Sequence, residues 1–466
     1  MSIFAVWRHR FVNNAGSFHR RDTKVKILLV NPPYFDVWRT FDYVLPPLGL
    51  AYLAAVLEAN DYDVTIVDLN ARQNERSITD HHWDIVGITF DTSRYYKGIK
   101  YGRMLRAKGA KVVVGGPHAS FMAEEILGNG SADFVVRGEG EYTMLELLNA
   151  LKAGSDLGHI RGLSYLYDNQ IIHNDDRIYS EDLDTLPFPT RHLLDMDKYR
   201  TSKMGARSIT SILTSRGCPY QCSFCASSRL AGTSWRSRSV ESIIEEVQLV
   251  KDTYGYPAIA FVDDNFTLDP KRVINICEEI LKRGWDIHWW CFTRADTIVK
   301  NPEMVSLMYK AGCRSTYIGI ESGNQETLDS YKKKISAEIS REAISILKKN
   351  KIEMTTSFII GQLNEDKGMV EDTLRFAKSL NPNTVSFSIL TPYPGTELFE
   401  QVKDKIISFN WRKYDGIHSV IRLKHFRPLQ LQLILLRFYI SFYVRSFSAI
   451  KDFLRFSIRR KFQHPV

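Results

Sequence analysis

The sequence predicts an α/β chain: an N-terminal doubly wound parallel sheet, a partial (β/α)6 barrel after it, and a C-terminal helical segment. Three observations carry this prediction. Short β-branched runs alternate with stretches of helical periodicity between residues 24 and 155. The alternation restarts at Ser208 after a segment of different character, and a long helical pattern occupies residues 429 to 458. Continuous apolar runs separated by helices imply parallel strands covered on both faces, not half-solvated antiparallel ones.

The first series opens with Lys26-Ile-Leu-Leu-Val30, ended by Asn31-Pro32-Pro33. Helical periodicity runs from Leu48 to Asn60, and Val64–Asp68 is the next strand. Ile85–Thr89, Val112–Gly115 and Phe134–Val136 complete five units, which make a flavodoxin-like (Rossmann-type) domain over residues 24–155. Its ligand belongs at the carboxyl ends of the strands, where Asn31-Pro32-Pro33, Thr89–Ser93, Gly115-Gly116-Pro117-His118 and Arg137–Glu141 lie. Gly115 and Gly116 would let the backbone approach a large flat ligand, although glycine after a strand also simply makes the turn.

Residues 156–207 read as a linker. It holds a hairpin around Asp168-Asn169 and the proline-stiffened connector Leu186-Pro187-Phe188-Pro189-Thr190-Arg191. Beyond it, Ile212–Thr214, Ile259–Val262, Trp289–Phe292, Tyr317–Ile320, Thr356–Ile360 and Val385–Ile389 read as strands, with helical patterns such as Val240–Tyr254 and Ser340–Asn350 between them. Six such units make a partial TIM-type barrel over residues 208–400, with its chemistry at the carboxyl ends of the strands. Those ends carry Asp263-Asp264, Arg294-Ala295-Asp296, Glu321-Ser322-Gly323, Gly361-Gln362 and Thr391–Thr396. The two aspartates suit helix capping or a substrate role equally. Arg294 suits a carboxylate of a bound cofactor or a neighbouring acid.

The chemistry is concentrated in Arg216-Gly217-Cys218-Pro219-Tyr220-Gln221-Cys222-Ser223-Phe224-Cys225, just after the first of these strands. For 6 cysteines in 466 residues, a C-x3-C-x2-C spacing arises by chance roughly once in a thousand sequences. Three thiolates on one loop can hold three corners of an iron–sulfur cube and leave the fourth iron open. A zinc site would want a fourth ligand nearby, and His192 and Asp195 are poor candidates. Cys277, Cys291 and Cys313 are scattered and read as reduced structural thiols.

The triplet, with Phe224 before its last cysteine, resembles the signature of radical S-adenosylmethionine (radical SAM) enzymes. The strand-end loops of the first domain and the L-P-F-P-x-R connector resemble the cobalamin-binding branch of that family. The resemblance implies a 4Fe-4S cluster on Cys218, Cys222 and Cys225, which serve as metal ligands and catalytic residues. It implies S-adenosylmethionine held by Phe224, Glu321, Ser322 and Arg294. It also implies cobalamin near Asn31, Thr89, Gly115, Gly116 and Glu139. The D-x-H-x-x-G motif of many cobalamin proteins is absent: Asp68-Leu69-Asn70 stands there, which implies cobalt without a protein imidazole. His118 is an alternative ligand or a packing histidine.

The implied reaction is one-electron cleavage of S-adenosylmethionine, hydrogen abstraction from an unactivated carbon, and methyl transfer from cobalamin to a small or hydrophobic, lipid-like substrate. A flavodoxin or ferredoxin would be the reductant. A radical oxidative cyclase or carbon-skeleton rearrangement is the alternative enzyme, and a non-catalytic cobalamin- or redox-sensing module the alternative of another class.

Composition adds limits. Hydrophobic content of 44% and charged content of 25% over 466 residues suit a globular chain with two or three cores. No apolar stretch is long enough for a membrane span and no signal core opens the chain, so a cytoplasmic protein is expected. The net charge of +9 gathers at a basic extension, residues 1–23, and in the C-terminal region, residues 401–466. No nucleic-acid partner is expected. In the C-terminal pattern Leu429, Leu433, Leu436, Ile440, Tyr443, Phe447, Ile450, Leu454 and Ile458 share one face, and Arg437, Ser441, Arg445, Ser448, Asp452, Arg455 and Arg459 the other. Such a face packs on the protein's own core or makes peripheral contact with an anionic membrane.

Overall fold

The computed structural model describes residues 25–34, 44–71, 74–199, 208–256 and 258–444. The basic N-terminal extension and the C-terminal pattern beyond Val444 lie outside the described residues. The chain divides into two compact units, one of residues 1–219, 226–264 and 286–288, the other of residues 220–225, 265–285 and 289–466.

In the first unit, β-branched runs form β1 (Lys26–Asn31), β2 (Asp63–Asp68), β3 (Ile85–Thr89), β4 (Lys111–Gly115) and β5 (Phe134–Val136). They lie parallel in the order β2-β1-β3-β4-β5. Ile27 to Val30 are fully buried, as strands covered on both faces require. Helix α1 (Leu48–Glu58) joins β1 to β2, α2 (Tyr95–Ala107) joins β3 to β4, and α3 (Glu141–Ala153) follows β5. The hairpin β6 (Leu163–Tyr167) and β7 (Gln170–His173) turns at Asp168 and Asn169, with φ of 46° and 62°, the left-handed pair of a two-residue hairpin turn. It does not stand apart as a linker element. Val135 pairs with Ser164, so the hairpin extends the sheet antiparallel to seven strands. Leu194, Met196 and Tyr199 of the same segment join the core of Ile27, Leu57, Ile66 and Leu147.

The barrel strands begin in this unit with β8 (Thr210–Ile212). A short antiparallel pair follows, β9 (Ser215–Arg216) with β10 (Arg236–Ser237), and then α4 (Val240–Tyr254) and β11 (Ala258–Phe261), which pairs parallel with β8. The ladder of β8 sits two residues before the run Ile212–Thr214 that the sequence suggested. Thr214 is instead taken by Asp263, whose carboxylate accepts from its backbone N–H at 2.6 Å. Helix α4 has the predicted bounds, capped by the Ser239 hydroxyl and by Gly255 at φ 62°.

The second unit places α5 (Pro270–Lys282) before β12 (His288–Thr293), then β13 (Cys313–Glu321), α6 (Ala337–Lys349), β14 (Glu353–Ile360), α7 (Lys367–Leu380) and β15 (Thr384–Ile389). Strands β12 to β15 are parallel neighbours in that order. All six strands expected of the barrel are therefore formed.

A C-terminal helix, α8 (Pro428–Tyr443), covers β15. Leu431, Leu435, Phe438 and Phe442 are its buried residues, and Phe387 of β15 meets the rings of Phe438, Tyr439 and Phe442 at 5.2, 5.5 and 6.1 Å. The Tyr439 hydroxyl accepts from Phe387 N at 3.0 Å and donates to Phe387 O at 2.8 Å, so a side chain satisfies the edge strand. Of the two roles the sequence left open for the face of Leu429, Leu433, Leu436 and Ile440, packing on the core falls to the opposite side: these four are exposed, because the helix is apolar nearly all round and the aromatic side meets β15.

Candidate active site

The cysteine loop is shaped by backbone geometry before any thiol is considered. Gly217 has φ 87°, and a Cβ there would overlap the Ser234 carbonyl and stand 3.1 Å from those of Ala231 and Gly232. Cys218 N donates to Gly232 O at 3.1 Å. In the second unit, Ser223 is clamped on three sides: its N–H donates to Tyr331 O at 3.1 Å, its hydroxyl to Ser330 O at 3.3 Å, and its carbonyl accepts from Leu398 N at 2.8 Å. The Phe224 ring meets Tyr331 edge-on at 5.1 Å, and Cys225 N donates to Cys222 O at 3.1 Å.

Cys218, Cys222 and Cys225 are half-buried thiols, while Cys277, Cys291 and Cys313 are buried. Among the described residues no three His, Cys, Asp or Glu side chains converge as a single metal ion would require. A cube spreads its thiolates one per iron, and three half-buried thiols on a held loop fit such a 4Fe-4S cluster.

The strand ends of the second unit supply buried polar groups. Glu321 closes β13 at φ 67°, beside a bulge between Gly319 and Glu321. Its carboxylate is buried with Lys333, whose ammonium lies 2.7 Å away, and it accepts from the Ser357 hydroxyl at 3.2 Å. Ser322 ties its loop to α7, hydrogen-bonded to the Thr373 hydroxyl at 2.9 Å and accepting from Asn324 N at 3.1 Å. Arg294 pairs with the neighbouring acid Asp296 at 3.1 Å, donates to Lys333 O at 3.0 Å and lies over the Tyr220 ring at 3.5 Å. Asp263 takes the structural role: besides Thr214 it accepts from the Ser215 hydroxyl at 2.8 Å.

Sequence reasoning missed Lys333, Tyr331 and Glu365. Glu365 accepts from Gly361 N at 2.6 Å and Gln362 N at 3.2 Å, and burial pushes its carboxyl up to about 7. Among the described residues its other oxygen and the Tyr331 hydroxyl are buried without a protein partner, as a pocket for a polar ligand would leave them. The signal for Glu365 was its distance of four residues from the strand-end Gly361.

In the first unit Asn31 donates to Asp68 at 2.9 Å and accepts from Arg94 at 2.7 Å. Asp68 is buried and also accepts from Asn70 and from the Tyr199 hydroxyl at 3.0 Å; burial raises its pKa against these hydrogen bonds. Asn70 is tied down by donating to Asp68 and to Pro32 O and by accepting from Tyr34 N at 2.6 Å. His118 is buried, 3.1 Å from the Thr92 hydroxyl and packed on Tyr95 at 4.9 Å, and burial pushes its imidazole down to about 4. Gly116, at φ 95°, is required by the fold itself, since a Cβ would lie 2.5 Å from Thr89 Oγ1; at Gly115 a Cβ would meet only ordinary contact.

Glu139 is held in an ion-pair network. It lies 3.4 Å from Arg216 and 2.9 Å from Arg236, and accepts from Ser180 N at 3.3 Å. Glu141 takes Arg216 at 2.6 Å. Burial works against the Arg216 charge, yet Glu141 and then Glu139 hold its pKa above the ordinary value.

Residues 212–377 match the radical SAM superfamily, and residues 36–148 match the B12 binding domain. An uncharacterized methyltransferase of Pyrococcus horikoshii is 39% identical over 439 residues, 92% of this chain and 94% of that protein. The anaerobic magnesium-protoporphyrin IX monomethyl ester cyclase of Rubrivivax gelatinosus is 30% identical over 85% of this chain and 74% of that one. Among solved structures, the radical S-adenosylmethionine methyltransferase TsrM of Kitasatospora setae, with cobalamin and a 4Fe-4S cluster bound, superposes with a TM-score of 0.68 at 21% identity, covering 82% of this chain and 75% of that one. The fold is shared. With both family matches and these relatives in agreement, the chain belongs to the cobalamin-binding radical SAM family of enzymes.

Proposed function

We propose that this chain methylates an unactivated carbon of a small or hydrophobic molecule, with electrons from a flavodoxin- or ferredoxin-type donor. The clamp on Ser223 and Phe224 carries the reading, because it holds the backbone around Cys222 and Cys225 as a cluster loop must be held. When bound, the cluster, S-adenosylmethionine and cobalamin supply the one-electron cleavage and the methyl carrier.

The chain's own residues bind and orient. Cys218, Cys222 and Cys225 ligate the cluster. Glu321, fixed by Lys333 and Ser357, offers carboxylate lone pairs to a ribose or ammonium group. Arg294 brings cationic charge against the Tyr220 ring. Phe224 presents its backbone, while Ser322 shapes the loop through Thr373. Asn31, Thr89, Gly115 and Gly116 line the strand ends where a corrin would lie, Glu139 braces that edge, and Asn70 in place of histidine offers cobalt no imidazole.

A methyltransferase reading is favoured by the relative that matches at 39% along nearly its whole length. An oxidative cyclase is the second reading, favoured by the Rubrivivax enzyme at 30%. Anaerobic reconstitution with iron, sulfide and hydroxocobalamin, followed by turnover with methyl-labelled S-adenosylmethionine, separates them. Formation of 5′-deoxyadenosine together with a labelled organic product supports methylation, whereas 5′-deoxyadenosine with an unlabelled product of two fewer hydrogens supports cyclisation. A Cys218→Ala, Cys222→Ala, Cys225→Ala variant that still forms 5′-deoxyadenosine would sink both.

A further inference from the structure

Helix α8 has a second apolar face that nothing among the described residues covers. Leu429, Leu433, Leu436, Ile440 and Val444 recur at helical spacing, and each is between 54% and 65% exposed. The opposite face is the one spent on β15. Large aliphatic side chains aligned on one exposed stripe are costly in water unless something receives them.

Charge identifies what receives them. From Arg422 to Val466 the sequence holds ten lysines and arginines against one aspartate, so this stretch carries the chain's whole net charge of +9 and the preceding residues balance to zero. Arg422, Lys424 and Arg427 are exposed just before the helix. Arg437, on the flank of the stripe, pairs with Glu371, and Arg445 follows Val444 directly. No acidic residue lies on α8. An aliphatic stripe bordered by cations is the pattern of a helix lying in a lipid–water interface. Nucleic acid would use the cations but gives aliphatic side chains nothing to stack on. No helix among the described residues is long and apolar enough to cross a membrane, so the contact is with the surface.

We propose that this face of α8 docks the protein on an anionic lipid bilayer. The inference stands apart from the assigned chemistry, since docking needs no turnover.

The test is flotation of the full-length reconstituted protein with vesicles of phosphatidylcholine alone and of phosphatidylcholine rich in phosphatidylglycerol, at low and high salt. Wild type should bind the anionic vesicles at least about tenfold better than the neutral ones and release in high salt. Leu433→Ser, Leu436→Ser, Ile440→Ser together should lower that binding roughly tenfold without lowering Tm, because these side chains are already exposed. Arg422→Gln with Lys424→Gln should lower it in the same direction. The proposal is overturned if the serine variant floats as well as wild type, or if wild type ignores anionic vesicles. It is equally overturned if the serine variant only abolishes self-association, which would make a second copy the occupant.

Discussion

The Arg216 guanidinium, two residues ahead of Cys218, donates to the Glu141 carboxylate at 2.6 Å, with both side chains nearly buried. Glu141 opens α3, where a carboxylate would favour the helix N-terminus, yet it is turned to an arginine of the cysteine motif. A buried pair of this kind is costly to break from one side only. Arg216→Met should destabilise the apoprotein by about 3 kcal/mol and reduce iron taken up on reconstitution. Arg216→Met with Glu141→Leu should recover part of that loss, because no uncompensated charge remains. Denaturant midpoints of wild type, Arg216→Met, Glu141→Leu and the double variant check this, and strictly additive losses would show that the two residues act independently.

Gly319 offers a finer probe of the Glu321–Lys333 pair. Its Cβ would overlap the Glu321 carboxylate and come within 2.8 Å of Lys333 Nζ, while its backbone is ordinary strand. Gly319→Ala should therefore leave the fold intact and push the pair aside. S-adenosylmethionine should bind roughly tenfold more weakly, equivalent to about 1.4 kcal/mol. Calorimetric titration of the reconstituted protein gives the number, and an unchanged affinity would remove Glu321 from the cofactor's contacts.

Tyr199 is fully buried, and its hydroxyl donates to the Asp68 carboxylate at 3.0 Å. Tyr199→Phe keeps the ring in the core but withdraws a donor from a buried carboxylate. A loss of about 2 kcal/mol in denaturant unfolding is expected, falling to near zero in an Asp68→Ala background that offers the hydroxyl no acceptor.

What the sequence made legible was local. Cys218, Cys222 and Cys225 lie within eight positions, and the five strands of the first sheet announce themselves by unbroken β-branched runs. Pairings across long separations were not visible: Glu139 stood out as a strand-end residue, but its commitment to Arg216 and Arg236 joins side chains 77 and 97 positions away. The role of each face of α8 stayed open in the sequence for a different reason. A helix carrying Leu429, Leu433 and Leu436 on one side and Leu431, Leu435 and Phe438 on the other has no single apolar stripe to find. Only the presence of Phe387 on β15 decides which side is buried.

Glu365 gives a pH dependence whose sign can be worked out. Burial raises its carboxyl from an ordinary 4.5 to about 7, while the N–H groups of Gly361 and Gln362 favour the ionised form and only partly oppose that. A group whose folded-state pKa is raised contributes stability that is fully present below the unfolded value and lost as pH rises through the folded one. The window is thus about pH 4.5 to 7, and the loss across it is on the order of 3 kcal/mol. Glu365→Gln keeps an oxygen for Gly361 N but cannot ionise, so its stability should gain on wild type by that amount between pH 5 and pH 7.5 and run parallel to it above. Urea unfolding of both proteins through this range is the measurement. Parallel curves throughout would mean that Glu365 is ionised at its ordinary pKa, and the unpaired Glu365 oxygen and the Tyr331 hydroxyl would then need another explanation.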